Sequence, residues 1–315
     1  MELLRKIAAL GHRLRLLNDI RRDDGRMSVP YEAVGIEITS MCNLSCPLCP
    51  AARDARTVER DGSQMSKEDF ARIVRLTAPI TKNYVLNMYG ESLLHKEFFD
   101  FLDMVAATGR GMSISTNLNY GERLAERLSQ YEGLDVICSI DGWDPESYKR
   151  YRVGGRFDVM TRNLAILAKG KCKVHPQFLV DGDDKEGCET FCDFIENEIG
   201  IPRRNIILKP MNPNFKNELM RTYEGVCHYM YANIYFTSDG NLVPCCVHVG
   251  RDLFLAHISD FERPEDVLNA APLVAARRQL ARDKNAYKSC VSCPGRDIRA
   301  ETADKLKSAF SIPRF

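Results

Sequence analysis

The sequence predicts an α/β protein: a parallel sheet built from six strand–helix units, followed by a small α+β unit. Three observations predict it. Short β-rich runs alternate with stretches at helical spacing from about residue 33 to 215. Right-handed crossovers gather the polar ends of those runs on one face, where α/β enzymes carry their chemistry. Beyond about residue 220 the alternation stops and an Asp-Gly hairpin and a cysteine-rich stretch take over.

The totals agree. A chain of 315 residues holds one large α/β domain and a small one. Its hydrophobic fraction of 44% is enough for a substantial core. A net charge of +1 gives no reason to expect nucleic acid as a partner. No window approaches a transmembrane segment, and Met1-Glu2-Leu3-Leu4-Arg5-Lys6 does not open like a secretory signal. Twelve cysteines in such a chain are expected in a reducing cytoplasm, where clusters of cysteine are more often metal sites than disulfides.

Residues 1–32 read as a helix and a linker. Leu3, Ile7, Leu10, Leu14 and Leu17 share one face, with Arg5, Lys6, Arg13 and Arg15 elsewhere. Such a helix can meet a membrane or a partner, but packing on its own domain is the expectation. The main domain is expected over 33–218. Val34–Ile38 is its first strand and runs into Cys42, Cys46 and Cys49. Ser66-Lys67-Glu68-Asp69 starts a helix. Tyr84–Tyr89 is a strand ending at Gly90-Glu91-Ser92, and a helix follows over 98–107. Strand 111–115 ends at Thr116-Asn117, and helix 123–131 leads to strand Leu134–Ile140, ending at Asp141-Gly142. Helix 157–168, strand 174–180, helix 186–199 and strand 205–208 complete the set. A second unit over 219–300 holds the hairpin 232–244, a helix over 264–280 and Cys290-x2-Cys293; 301–315 is a tail.

Soft thiolates bind zinc or iron–sulfur clusters. A structural zinc site closes four ligands, so a loop with three cysteines leaves a position open. In a four-iron cluster it leaves one iron open, and that iron can chelate an amine and a carboxylate. The spacing Cys42-x3-Cys46-x2-Cys49, after the first strand and with Gly90-Glu91 after the second, resembles the signature of the radical S-adenosylmethionine (SAM) superfamily.

The resemblance covers roughly 33–215 and implies a partial (β/α)6 TIM barrel. It also implies a 4Fe-4S cluster on the three cysteines, with SAM on the open iron. One electron then breaks the C5′–S bond, and a 5′-deoxyadenosyl radical takes a hydrogen atom from the substrate. Gly90-Glu91 resembles the family's segment beside the SAM amino group, with Ser92 where proline is common. Thr116, Asn117 and Ser139 resemble ribose-side residues, and Asp141 is expected to face the substrate as a catalytic residue. Arg152 resembles the arginine that pairs with the SAM carboxylate. Leu48 departs from the aromatic residue common before the third cysteine.

Cys227, Cys245, Cys290 and Cys293 resemble the ligands of an auxiliary 4Fe-4S cluster in a twitch domain, the shortened SPASM type. Their spacing is similar to that of the aminocyclitol dehydrogenase and sugar epimerase group. Cys246 is then left over. It is a buried hydrophobe or the thiol that returns a hydrogen atom to a substrate radical. His248 is a candidate base; Cys138, Cys172, Cys188 and Cys192 show no ligand pattern.

Two outcomes stay open for a small polar substrate: oxidation of an alcohol, or epimerisation. A flavodoxin or ferredoxin would supply electrons. Peptide modification is a third, although the roughly 30 residues before the barrel leave no room for a separate peptide-recognition domain. A zinc-binding interaction module without catalysis is the reading from another class.

Overall fold

The computed structural model describes residues 2–53, 60, 63–211, 226–246, 250–291 and 293. Helix α1 (Glu2–Arg22) leads into β1 (Tyr31–Ile36), a short α2 (Pro50–Arg53) and α3 (Lys67–Thr77). Then come β2 (Thr81–Val85), α4 (Phe98–Ala106), β3 (Gly111–Thr116), α5 (Glu122–Ser129) and β4 (Leu134–Ser139). Next are α6 (Pro145–Tyr151), α7 (Phe157–Ala168), β5 (Lys173–Val180), α8 (Lys185–Asp193) and β6 (Ile207–Pro210). The C-terminal part holds α9 (His228–Ala232), β7 (Asn233–Phe236), β8 (Asn241–Val243), β9 (Ala256–His257), α10 (Pro264–Leu268) and α11 (Ala271–Arg282).

Six parallel strands stand in the order β6-β5-β4-β3-β2-β1, the open, mostly parallel α/β sheet of a partial barrel. One face of each strand carries the core. Val34, Ile36, Ile114, Leu134, Val136 and Cys138 are fully buried there, against the helices. The other, concave face is half-buried and polar, with Ser113, Ser115, Asp135, His175 and Gln177 on it. Barrel interiors are usually filled with branched apolar side chains, so this face is built as a cavity wall rather than a core.

The hairpin after residue 220 forms as expected but does not found a sheet of its own. Strand β7 pairs parallel with β1, Gly35 opposite Tyr235, and β8 and β9 add antiparallel beyond it. One nine-stranded sheet therefore runs through the boundary placed at 218. Gly35 makes the junction: a Cβ there would lie 2.0 Å from the Tyr235 ring.

Other expectations shift for physical reasons. Strands β1 and β2 each begin three residues early, because Tyr31 and Thr81 are already buried at the sheet's lower edge. The helix expected over 264–280 breaks at Asn269 and Ala270, where the Asn269 side chain leaves the helix to pair with both backbone groups of Met27. The helix expected over 186–199 widens into a π-type turn over Phe194–Ile199, closed by the left-handed Gly200.

Helix α1 corrects the stripe read from the sequence. Leu14 is 53% exposed, while His12, Leu16, Asp19 and Ile20 are buried. Asp19 faces inward because it accepts from both the backbone and the hydroxyl of Ser28, at 2.7 and 2.9 Å. Among the described residues no helix is long and apolar enough to cross a membrane.

Burial and the neighbouring Lys82 push His12 down to about 4. An imidazole depressed in the fold stabilises fully above its free value, near 6.5, and loses that contribution as pH falls toward 4. Discounted for solvent screening, the loss is about 1–2 kcal/mol. His12→Leu is therefore expected to flatten the acid limb of melting temperature against pH. A limb of unchanged slope would show that His12 does not set it.

Candidate cluster site at the strand ends

Three successive strand ends turn through left-handed residues: Gly90 (φ 76°), Leu118 (φ 61°) and Asp141 (φ 59°). At Gly90 a Cβ would lie 2.2 Å from the Thr39 carbonyl and 2.7 Å from that of Met41. The next N–H, from Glu91, donates to Met41 O at 2.8 Å. The Gly-Glu segment is thus seated under the backbone that begins the three-cysteine loop.

The Glu91 carboxylate is buried. It accepts from Thr116 Oγ1 at 2.9 Å, Asn117 N at 2.7 Å and Leu93 N at 3.3 Å. Burial pushes it up to about 7 against those donors. Its work is to weld the end of β2 to the end of β3, so Thr116 and Glu91 spend their polar atoms on each other.

Cys42, Cys46 and Cys49 all stand on this loop. Cys49 N closes a turn on Cys46 O at 3.1 Å, and Ser45 N donates to Val153 O at 2.8 Å. Asn43 donates to Asn119 O at 2.6 Å, tying the loop to the end of β3. Burial pushes Cys42 up to about 11, and Cys46 is raised for the same reason, with Arg152 opposing.

Three donors address these sulfurs: Leu44 N on Cys42 at 3.5 Å, Asn117 Nδ2 on Cys42 at 3.8 Å and Arg152 Nη1 on Cys46 at 3.7 Å. Buried thiols need a metal to hold them as thiolates, and N–H donors aimed at sulfur suit cluster ligands. The residues present fit an iron–sulfur cluster.

Arg152 follows α6 and is capped on Tyr148 O at 2.9 Å. Its Nη2 forms an ion pair with Asp141, whose other oxygen accepts from Leu179 N on β5 at 2.7 Å. Burial works against the guanidinium's charge, but Asp141 and Cys46 outweigh it and raise its affinity for the proton. The expectation that Asp141 faces a substrate meets a different placement, since both its oxygens are taken by the protein. Ser139 shares a hydrogen bond with Ser115 at 3.0 Å on the concave face.

Cys227, Cys245, Cys290 and Cys293 come together around one mostly apolar cavity, beside Tyr229 and Leu253. Burial pushes Cys290 up to about 12, reinforced by Cys293 and Cys227. Ser289 anchors its turn on Asp252 through N at 3.1 Å and Oγ at 2.8 Å. Cys246 does not line this cavity. Its thiol pairs with the Tyr235 hydroxyl and feels Lys209 of β6. His248 lies outside the described residues. Cys138 and Cys172 are packed in the core, and Cys188 and Cys192 stay on α8. Among the described residues no three Cys, His, Asp or Glu side chains are drawn together tightly enough for a single metal ion.

Three features of the site escaped the sequence reading. Helix α6 positions Arg152, and its signal was legible: Asp144 before Pro145 with Ser147 at the third position forms a capping box. Arg60 forms a buried two-pronged pair with Glu37, at 2.9 and 3.1 Å, where the concave face meets Ser238. Asp135 and His175 pair across β4 and β5 at 2.7 Å. No spacing rule announces the last two.

Fold and site define an open α/β partial barrel with a three-cysteine loop, a candidate cluster site, at its strand C-termini. The Radical SAM superfamily matches residues 36–195, just over half of the sequence, and the chain belongs to that superfamily, whose members use a 4Fe-4S cluster and SAM. A probable GTP 3′,8-cyclase of Methanococcus maripaludis is 26% identical over 185 residues, 58% of this chain. The chain spans 60% of that relative's length. Streptococcus suis SuiB bound to precursor peptide SuiA superposes with a TM-score of 0.65 at 15% identity, over 88% of this chain and 74% of SuiB. BtrN in complex with AdoMet and 2-DOIA gives a TM-score of 0.51 at 15% identity, over 85% of this chain and 94% of BtrN.

Proposed function

We propose that this radical SAM protein takes a hydrogen atom from a small polar substrate, sugar- or aminocyclitol-like, and oxidises or epimerises it. A second 4Fe-4S cluster, held by Cys227, Cys245, Cys290 and Cys293, assists. Cys42, Cys46 and Cys49 hold the first cluster. What that group supplies when bound is the one-electron cleavage of SAM and the hydrogen-abstracting radical that results. The chain's own residues do the rest. Leu44 N, Asn117 and Arg152 address the ligand sulfurs, and Arg152 offers a guanidinium for the SAM carboxylate. The Gly90 turn seats the segment beside the SAM amino group, with Asn117 and Ser139 toward the ribose.

The observation that carries the reading is the convergence of four cysteines, from three separate stretches of chain, on one cavity. A lone zinc ion asks its thiolates to stand about 2.3 Å from one centre. A four-iron cluster gives each thiolate its own iron and a wider ring, which suits cysteines not gathered for a single ion. Cys246, outside that cavity and beside Tyr235 of the concave strand β7, is the group to return a hydrogen atom in an epimerase. Peptide modification is the second reading. It is favoured by the open concave face and by SuiB, which was captured with its precursor peptide. Twelve cysteines without a disulfide suit a reducing cytoplasm, with flavodoxin or ferredoxin as the electron source.

Anaerobic reconstitution is expected to load about eight irons and eight sulfides, and about four of each in a Cys42/Cys46/Cys49→Ala variant. Zinc without sulfide would overturn the two-cluster reading. In deuterated water, deuterium at an inverted carbon that disappears in Cys246→Ala marks an epimerase. A ketone formed without Cys246 marks a dehydrogenase.

A further inference from the structure

Asp141 stands at the end of β4 in a left-handed conformation that side-chain-bearing residues avoid, although Asp and Asn tolerate it best. That turn sets Oδ1 to accept from the backbone N–H of Leu179, while Oδ2, buried and without a hydrogen bond, forms an ion pair with Nη2 of Arg152. The Leu179 bond anchors the carboxylate to the sheet, so the ion pair anchors Arg152 to the sheet as well. Arg152 itself is nearly enclosed, with 11% of its side chain exposed. Nη1 reaches Cys46 Sγ, and Nε has no hydrogen-bond partner although it is buried. A guanidinium with Nη2 paired to Asp141, Nη1 on a sulfur and Nε buried and unsatisfied is prepared for one more acceptor.

We infer that Asp141 is a positioning residue: it holds Arg152 in the orientation that receives the carboxylate of SAM beside Cys46. The inference rests on the reading of Arg152 as the carboxylate's partner. Without the Asp141 charge, the guanidinium keeps only its long contact to the Cys46 sulfur. Its side-chain freedom must then be lost when the ligand binds. A buried cation without a counter-charge also tends to leave for water. Both effects weaken binding, and they outweigh the extra attraction an unpaired cation would offer, because the pre-aimed fork is lost.

The test uses the reconstituted protein with SAM and decarboxylated SAM as probes, measured by equilibrium dialysis. Asp141→Asn keeps the left-handed turn and the Leu179 hydrogen bond, so iron and sulfide content should stay at the wild-type level. SAM should bind about tenfold more weakly, the scale of one charge-assisted hydrogen bond, while decarboxylated SAM is held as before. Equal losses on both probes would mean a structural role. No loss, or tighter SAM binding, would mean that Asp141 does not position Arg152 or competes for it. Each of these overturns the inference. Arg152→Ala separates the two levels: if it leaves SAM affinity unchanged, the reading of Arg152 fails, whatever Asp141 does. If Asp141→Asn does not hold its clusters, Asp141→Asn combined with Arg152→Gln buries no net charge and serves instead. It should bind SAM no worse than Arg152→Gln alone, and a further loss overturns the inference.

Discussion

Cys46→Ser is expected to lower SAM cleavage by at least about a thousandfold, some 4 kcal/mol in the barrier, while leaving the fold in place. Cys46 is the most enclosed of the loop's three thiols, 4% exposed, and it meets Arg152 Nη1 at 3.7 Å. Serine fills the same space and still accepts from Arg152, so packing is conserved. Its oxygen is a hard, weakly acidic ligand, and iron–sulfur clusters are held by soft thiolates. With two thiolates left, the loop can no longer retain a cluster that needs three. Iron and sulfide should fall by half, to the content of the proposed second cluster alone, and 5′-deoxyadenosine should drop to background in a dithionite-driven assay. Cys138→Ser is the contrast: also fully buried, but packed in the sheet's core beyond any donor set. It should lose stability and keep cleavage. Cleavage retained in Cys46→Ser would contradict the assignment of the loop.

The contrast shows what the sequence could disclose. Cys42, Cys46 and Cys49 are near neighbours in the chain, so their spacing is itself the geometry of the site. The same holds for Gly90: a positive φ under a crowded carbonyl admits little but glycine, and Gly-Glu after a strand is readable. The alternation of buried residues along β3 and β4 comes from the two-residue period of a strand and was equally legible. What stayed hidden was set by partners distant in sequence. Nothing near Tyr235 announces that β7 will run parallel to β1, because a hairpin signal is local and the choice of outer neighbour is not. Nothing near Asp141 announces Leu179 or Arg152 as its partners. On helix α1 a leucine stripe was visible, yet two buried polar residues, His12 and Asp19, turned the helix so that Leu14 faces outward. Apolar periodicity does not register polar anchors.

The second large effect is expected at Arg277, a residue without any motif. Arg277→Met should destabilise the protein by about 3–5 kcal/mol, in the range of buried-network losses. Arg277 is 1% exposed on α11. Its Nε donates to Met230 O at 2.8 Å, Nη1 to Gly25 O at 3.1 Å, and Nη2 to Tyr31 Oη at 2.7 Å. The rings of Tyr231 and Tyr31 lie 5.4 and 5.8 Å from the guanidinium carbon. One side chain therefore joins α9, the segment before β1, the first residue of β1 and α11. Methionine has similar length and apolar character, so the cavity stays filled. The loss is electrostatic: buried carbonyls at Gly25 and Met230 are left without their donor, each at about 1–3 kcal/mol. Arg282, exposed at the end of the same helix, gives the control, and Arg282→Met should stay within about 0.5 kcal/mol. Chemical denaturation of the metal-free protein measures both. Helix α9 starts at His228, directly after Cys227, so loosening its anchor at Met230 displaces one of the four cysteines proposed to hold the second cluster. Arg277→Met is therefore expected to lose iron from that site before the first. If stability falls while both sites keep their iron equally, Arg277 serves only the fold.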